Sequence, residues 1–121
     1  MPLSYSQVQA DEGKVPVPMY GEILNIVYYP SKMTDDILLK FAGLESAKTL
    51  EDVKAGLINL NEMLADLIKS WDFYEDDEQT TMWALTAESI ARLDMTFKMK
   101  CLYAIIGHVR PEAAGANVPP S

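Results

Sequence analysis

Apolar residues recur along the middle of the chain at alternating spacings of four and three: Val53, Leu57, Leu60, Leu64 and Leu67. That period puts all five on one side of an α-helix and predicts a helix over about residues 50–70. Such a stripe demands a second apolar surface to cover it. Leu50 and Ile68 widen it on one side and Met63 borders it on the other, so Met63 is expected to be partly buried. Ile58 falls off the stripe and is expected at the surface. Thr49 is the natural N-cap, with Asp52 three residues on in the manner of a capping box with a shorter acid. Gly56 either weakens the helix by about 1 kcal/mol relative to Ala or lets another backbone come close.

The elements that could cover the stripe follow from local signals. Ile23 to Tyr29 is rich in β-branched and aromatic residues and stops at Pro30, which predicts a strand over 23–29. Thr34, with Asp35 and Asp36 behind it, caps a helix over about 34–43 with Ile37, Leu38 and Phe41 on its apolar side and Gly43 at its end. Thr86 opens a short helix over 87–93 containing Ile90 and Leu93. Asp94 starts another over 95–107, with Phe97, Cys101, Leu102, Ile105 and Ile106 inward and Gly107 as the stop. Between them, Trp71 to Tyr74 and Thr80 to Ala84 read as a two-stranded ribbon around an acidic turn. A ribbon of that size must lean on the helices or on another strand. Helices packing on each other imply a mainly α domain with one N-terminal strand and a short acidic ribbon. Residues 1–20, interrupted by Pro16 and Pro18, read as a flexible arm, 21–110 as the helical domain, and the Pro- and Ala-rich 111–121 as a flexible tail.

The chain has 121 residues, about half of them apolar, which is enough for one core. Its net charge of −8 disfavours nucleic-acid backbones and anionic membranes, and it suits solubility or a basic partner. The single cysteine excludes an intrachain disulfide and fits a reducing cytoplasm. The first residues lack the basic and apolar regions of a secretory signal, and no apolar run approaches the roughly 20 residues of a membrane span.

No motif carries catalytic or cofactor chemistry. The acidic run Asp72, Glu75, Asp76, Asp77 and Glu78 invites a calcium reading. Against the EF-hand spacing, however, Asp77 stands where the turn glycine belongs and Trp83 where the bidentate glutamate belongs, so a solvated turn is the better reading. His108 and Cys101 are the only residues of their types, too few for a zinc site. A Cys101–His108 nucleophilic pair would need an exposed thiol, and Cys101 lies on the apolar side of its helix. The expectation is therefore a non-enzyme without cofactor or metal. Of the methionines, Met82, Met95 and Met99 suit either an adaptable surface or core filling. Tyr28, Tyr29, Phe73, Tyr74 and Trp83 fall on short strands and loops, where a small helical core has little room for them. They are the expected protein-binding residues. Trp71, directly following the stripe, is expected to be buried and structural.

Several short motifs occur in a fixed order: Tyr28-Tyr29-Pro30 at a strand end, Thr34-Asp35-Asp36 at a helix start, and Trp71-Asp72 leading into an acidic turn. Leu85-Thr86-Ala87-Glu88 then opens a helix, and a Pro/Ala-rich end follows. In this the chain resembles the tail assembly chaperones of long-tailed, siphovirus-type bacteriophages, over about residues 22–118. It departs from their common pattern at Ala87, where Pro is frequent, and at Glu78-Gln79, where the turn often holds Gly. The resemblance implies a protein of the host cytoplasm, absent from the mature virion. Such a protein binds the tape measure protein and keeps it soluble while the tail tube protein polymerises around it. It also allows a homo-oligomer and a longer form made by ribosomal frameshifting. The competing classes are a small virion component such as a head–tail connector subunit, and an acidic inhibitor or adaptor.

Overall fold

The computed structural model describes residues 2–109. In chain order the elements are α1 (Tyr5–Ala10), β1 (Gly13–Met19), β2 (Glu22–Tyr28) and a single 3₁₀ turn at Pro30–Lys32. Then come α2 (Asp35–Ser46), α3 (Leu50–Leu67), β3 (Ile68–Trp71), α4 (Ala87–Ile90) and α5 (Met95–Val109). The three strands form one antiparallel sheet in the order β1-β2-β3. Of the described residues 54% are helical and 19% are strand, so the domain is α+β and the mainly-α expectation is corrected.

The correction begins in the expected arm, residues 1–20. Gly13–Met19 alternates strictly, with Gly13, Val15, Val17 and Met19 buried and Lys14, Pro16 and Pro18 exposed. Two prolines argue against a central strand, but β1 is an edge. Pro16 faces Asn25 and Pro18 faces Ile23. Antiparallel pairs alternate between bonded and non-bonded, so two prolines two residues apart both occupy non-bonded positions with their ring nitrogens turned outward. The same two residues deprive the outer edge of N–H donors there, which protects it against pairing with another chain. Ahead of β1, α1 is fixed by a capping box between Ser4 and Gln7 but buries none of its residues.

The tight link between β1 and β2 is Tyr20-Gly21, with φ of 54° and 74°. Positive φ at both central residues defines a type I′ turn, whose twist matches that of the strands. Gly21 adopts this freely, whereas Tyr20 does so at a strain of about 1–3 kcal/mol.

The predicted strand at 23–29 is β2, and it is central rather than lone. Its second neighbour, β3, lies where the long helix was expected to continue to residue 70. Ile68 is extended, with φ −87° and ψ 124°, and pairs with Tyr28, while Trp71 pairs with Ile26. The β-branched Ile68 is thus buried by the sheet rather than by the helix stripe. Helix α2 runs through Gly43 to Ser46, and α4 is shorter than expected, ending at Ile90. The caps read from the sequence form at Thr49, Thr86 and Asp94, whose side chains accept from Asp52, Ser89 and Phe97 N–H at 3.1, 3.2 and 3.0 Å; Thr34 makes no such bond. The acidic ribbon reduces to one bridge, Tyr74 with Met82, flanked by Glu75 N–H to Thr81 and Trp83 N–H to Phe73 carbonyls. The expected tail 111–121 lies outside the described residues.

The core joins the inner face of the sheet to α3 and α5. Val15, Val17, Leu24, Ile26 and Tyr28 from the strands are buried with Leu60, Met63, Leu64 and Leu67 from α3. From α5 come Phe97, Cys101, Leu102, Ile105 and Ile106. Helix α5 packs on β1, and α2 and α4 pack on α3. Gly56 makes room for a side chain rather than for the backbone anticipated there: a Cβ would stand 2.9 Å from a Leu44 methyl, with the Leu44 Cα at 3.6 Å. Gly13 has a like role, because a Cβ would stand 2.5 Å from the ring of Tyr28. Lys98 is buried between α3 and α5, its Nζ donating to Asn61 Oδ1 at 2.9 Å. Burial lowers its pKa, and Asp94 partly opposes that.

The stripe itself is covered only over its second half. Leu60, Leu64 and Leu67 are at most 1% exposed, whereas Leu57 is half-buried, Val53 is 39% exposed and Leu50 71%. The expectation that a second apolar surface covers the whole stripe, Val53 included, is therefore corrected: the first two turns of α3 project past the core. Ile58 is exposed as its position off the stripe predicts. Leu60→Ala should accordingly destabilise the protein by about 2–5 kcal/mol, and Val53→Ala by less than about 1 kcal/mol, in urea unfolding. Equal losses would mean that the stripe is uniformly buried.

Candidate functional site

The five expected binding residues do not form one surface. Tyr28 is 1% exposed, which corrects the premise that the core had no room for it. Its hydroxyl is hydrogen-bonded to His108 Nδ1, and the two rings meet edge to face at 5.7 Å, tying the last turn of α5 to the sheet. Burial, and secondarily the charge of Asp11, pushes the Tyr28 pKa up. A central strand has an inward face, and position 28 lies on it with Leu24 and Ile26. Tyr29 points elsewhere: it is half-buried beside the 3₁₀ turn, with Lys32 Nζ 5.2 Å from its ring centre.

Phe73 and Trp83 do come together, with Trp71 and Phe97, in one aromatic cluster. Ring centres lie 5.5 Å apart for Trp71–Phe73 and Phe73–Trp83, 4.7 Å for Phe73–Phe97 and 5.9 Å for Trp71–Phe97. The indole nitrogens are occupied. Trp71 Nε1 donates to the Trp83 carbonyl at 3.0 Å, and Trp83 Nε1 donates to the Ser89 carbonyl at 3.1 Å. Arg92 lies over the Trp83 ring at 5.2 Å. This is the geometry of a seam that fastens the ribbon to α4 and α5, with Phe73, Tyr74 and Trp83 half-buried rather than displayed. Trp71 is 5% exposed, as its place after the stripe predicts.

The acidic turn is organised from within. Asp76 accepts from Thr80 and Thr81 N–H at 3.2 and 3.1 Å and from the Thr80 hydroxyl, and these bonds, the hydroxyl's first, hold its carboxyl below the usual range. Gln79 completes the turn at φ 58°. Among the described residues no group of three or more His, Cys, Asp or Glu converges to hold a metal ion. Nor is any described helix long and apolar enough to cross a membrane.

Besides Ile58, Met82 and Met95, exposed apolar side chains gather at three places the sequence did not mark as a binding surface. One group is Leu50 and Val53 at the uncovered start of α3, with the half-buried Leu57 beside them. On another side of that helix, a shallow groove of about 440 Å³ separates it from α2, floored by Gly43, Ala47, Ala55 and Gly56 with Leu39 at its edge. A second group is Tyr20 and Ile23 at the β1–β2 tip, 73% and 59% exposed. A third is Leu3 and Tyr5 around α1, each 76% exposed. One of these had a sequence signal: Tyr20-Gly21 sits between two alternating runs as a hairpin turn does.

Cys101 is fully buried, and burial pushes its thiol up to about 12. The folded protein should therefore resist thiol-modifying reagents at pH 8 and react only after unfolding; fast reaction of the native protein would contradict this burial. The unfolded thiol ionises near its ordinary 9.0, so between pH 9 and about 12 the unfolded chain binds fewer protons than the folded one. The contribution of Cys101 to stability is thus fully present below pH 9 and lost as pH rises towards 12. Cys101→Ala should flatten that part of the stability–pH curve.

No family model matches the chain, and no curated protein or solved structure is significantly similar to it.

Proposed function

We propose that this chain is a tail assembly chaperone of a long-tailed bacteriophage, acting in the host cytoplasm by binding the tape measure protein and keeping it soluble until the tail tube encloses it. The observation that carries this reading is the half-covered stripe of α3. Leu50, Val53 and Leu57 continue, at helical spacing, the row that Leu60, Leu64 and Leu67 bury in the core. An i, i+3, i+7 row of apolar residues that its own domain covers only in part is what a partner helix with its own apolar stripe lies against.

The energetics suit a reversible coat. Full burial of an exposed Leu or Val contributes about 1.5–3 kcal/mol before the costs of association, and less for the part-covered Val53 and Leu57, so the row gives a contact that many copies can make and release. The stripe is rooted in the core at Leu60, so a partner helix extends an existing apolar row rather than building a new one. Exposed Glu51, Asp52 and Lys54 surround it and set orientation more than affinity. The net −8 keeps a loaded complex soluble. The order of short motifs from Tyr28-Tyr29-Pro30 to Leu85-Thr86-Ala87-Glu88 supports the same assignment.

Co-expression with fragments of the phage's tape measure protein tests it. The wild-type chain should hold the fragments in the soluble fraction. Leu50→Gln combined with Val53→Gln should reduce the soluble amount severalfold while leaving the melting temperature of the chain within a few degrees, because neither side chain is in the core. Fragments equally soluble with and without the chain would contradict the proposal. Detection of the chain by mass spectrometry in purified particles at stoichiometric amounts would also contradict it, because a chaperone leaves before the virion is complete.

A further inference from the structure

The tip of the β1–β2 hairpin combines three features that stability alone does not require. Tyr20 holds a left-handed backbone, φ 54°, at a turn position where Asn or Gly is at ease, and its ring is 73% exposed. Ile23, two residues past Gly21, is 59% exposed on the sheet's outer side. Beside them lies a pocket of about 150 Å³, lined by Tyr20, Ile23, Phe73 and Phe97 and carrying Glu22 and Asp72. Strained residues at an exposed tip are kept where they contact something.

The pocket's size and charge narrow the occupant. It is well below the roughly 300 Å³ where small-molecule sites begin, and it suits one apolar side chain. Its two charged lining groups, Glu22 and Asp72, are both acids, and neither is in a salt bridge among the described residues. Asp72 is held in place by neutral donors, the Asn25 backbone N–H at 2.7 Å and the Asn25 side-chain amide at 2.8 Å, which fix the carboxylate without cancelling its charge. A second copy of this chain, itself at −8, is a poor match for an acidic rim.

We propose that the hairpin tip is a peptide-docking site that takes an apolar side chain flanked by Lys or Arg from a partner polypeptide. Tyr20 and Ile23 clasp the inserted side chain against Phe73 and Phe97. Glu22 and Asp72 receive the flanking cations and disfavour acidic segments. This deepens the protein-binding reading and rests on it only in taking the occupant to be a polypeptide.

The test is a nuclear magnetic resonance titration of the ¹⁵N-labelled chain with two short synthetic peptides, each with a central Phe, one flanked by Lys and the other by Glu. The Lys-flanked peptide should shift the amides of Tyr20–Leu24 and Asp72–Phe73, and the Glu-flanked one should bind at least tenfold more weakly. Tyr20→Asn supplies the control, because Asn is at home in this turn. It should raise the melting temperature while weakening the Lys-flanked peptide at least tenfold, which a purely structural role for Tyr20 would not do. Equal binding of both peptides, undiminished binding by Tyr20→Asn, or no shifts at the tip would overturn the proposal. Shifts of the same amides with protein concentration alone would also overturn it, by making a second copy the occupant. Tape measure binding is read separately at α3, so its failure with the tip titration intact would remove only the chaperone reading, and the converse only this one.

Discussion

A three-stranded sheet with one apolar face has to be covered, and nearly everything in this domain follows from how that is done. Val15, Val17, Leu24, Ile26 and Tyr28 present the face, and the second half of α3 together with α5 closes it. Because β3 follows α3 without a loop, the helix is anchored at the end where Leu64 and Leu67 are buried. Its other end is left to project. The same arrangement that makes the core leaves two turns of apolar stripe outside it. One helix thus supplies stability through its second half and the proposed binding through its first, divided near Leu60.

The aromatic residues serve this division. Trp71, Phe73, Trp83 and Phe97 form a seam that holds the acidic ribbon on α4 and α5, with both indole nitrogens bonded to backbone carbonyls. Tyr28 crosses the sheet's inner side over Gly13 and reaches His108 at the far end of α5. These contacts are made late in the sequence by residues far apart along it. Removing one loosens several elements together, because the rings share their neighbours.

How much was legible in the sequence depended on whether the signal was local. Caps at Thr49, Thr86 and Asp94, the stripe of α3, the inward side of α5 and the burial of Trp71 are local or periodic, and each was readable. Strand β1 was hidden because Pro16 and Pro18 read as breakers, and only its position at a sheet edge makes them compatible with pairing. Strand β3 was hidden because Ile68 continues the helical period, and only its partner Tyr28 shows why the backbone extends there. The mainly-α expectation failed through these two strands together. For the binding surface, exposure was inferred from lack of room in a helical core, and the unseen sheet supplied that room. Tyr28 went inside, and Phe73 and Trp83 became half-buried. Of the surfaces left open, the tip at Tyr20 and Ile23 has a local signal in Tyr20-Gly21, whereas the one at Leu50 and Val53 can be found only by knowing where the core ends.

The central claim is that α3 is structural over its second half and partner-binding over its first. Hydrogen–deuterium exchange followed by mass spectrometry, on the chain with and without tape measure fragments, measures both halves at once. The account predicts fast exchange over residues 50–57 in the free chain, slowed when fragments are added, and slow exchange over residues 60–67 in both states. Uniformly slow exchange along all of α3 in the free chain, or protection by the fragments that spares residues 50–57, would contradict it.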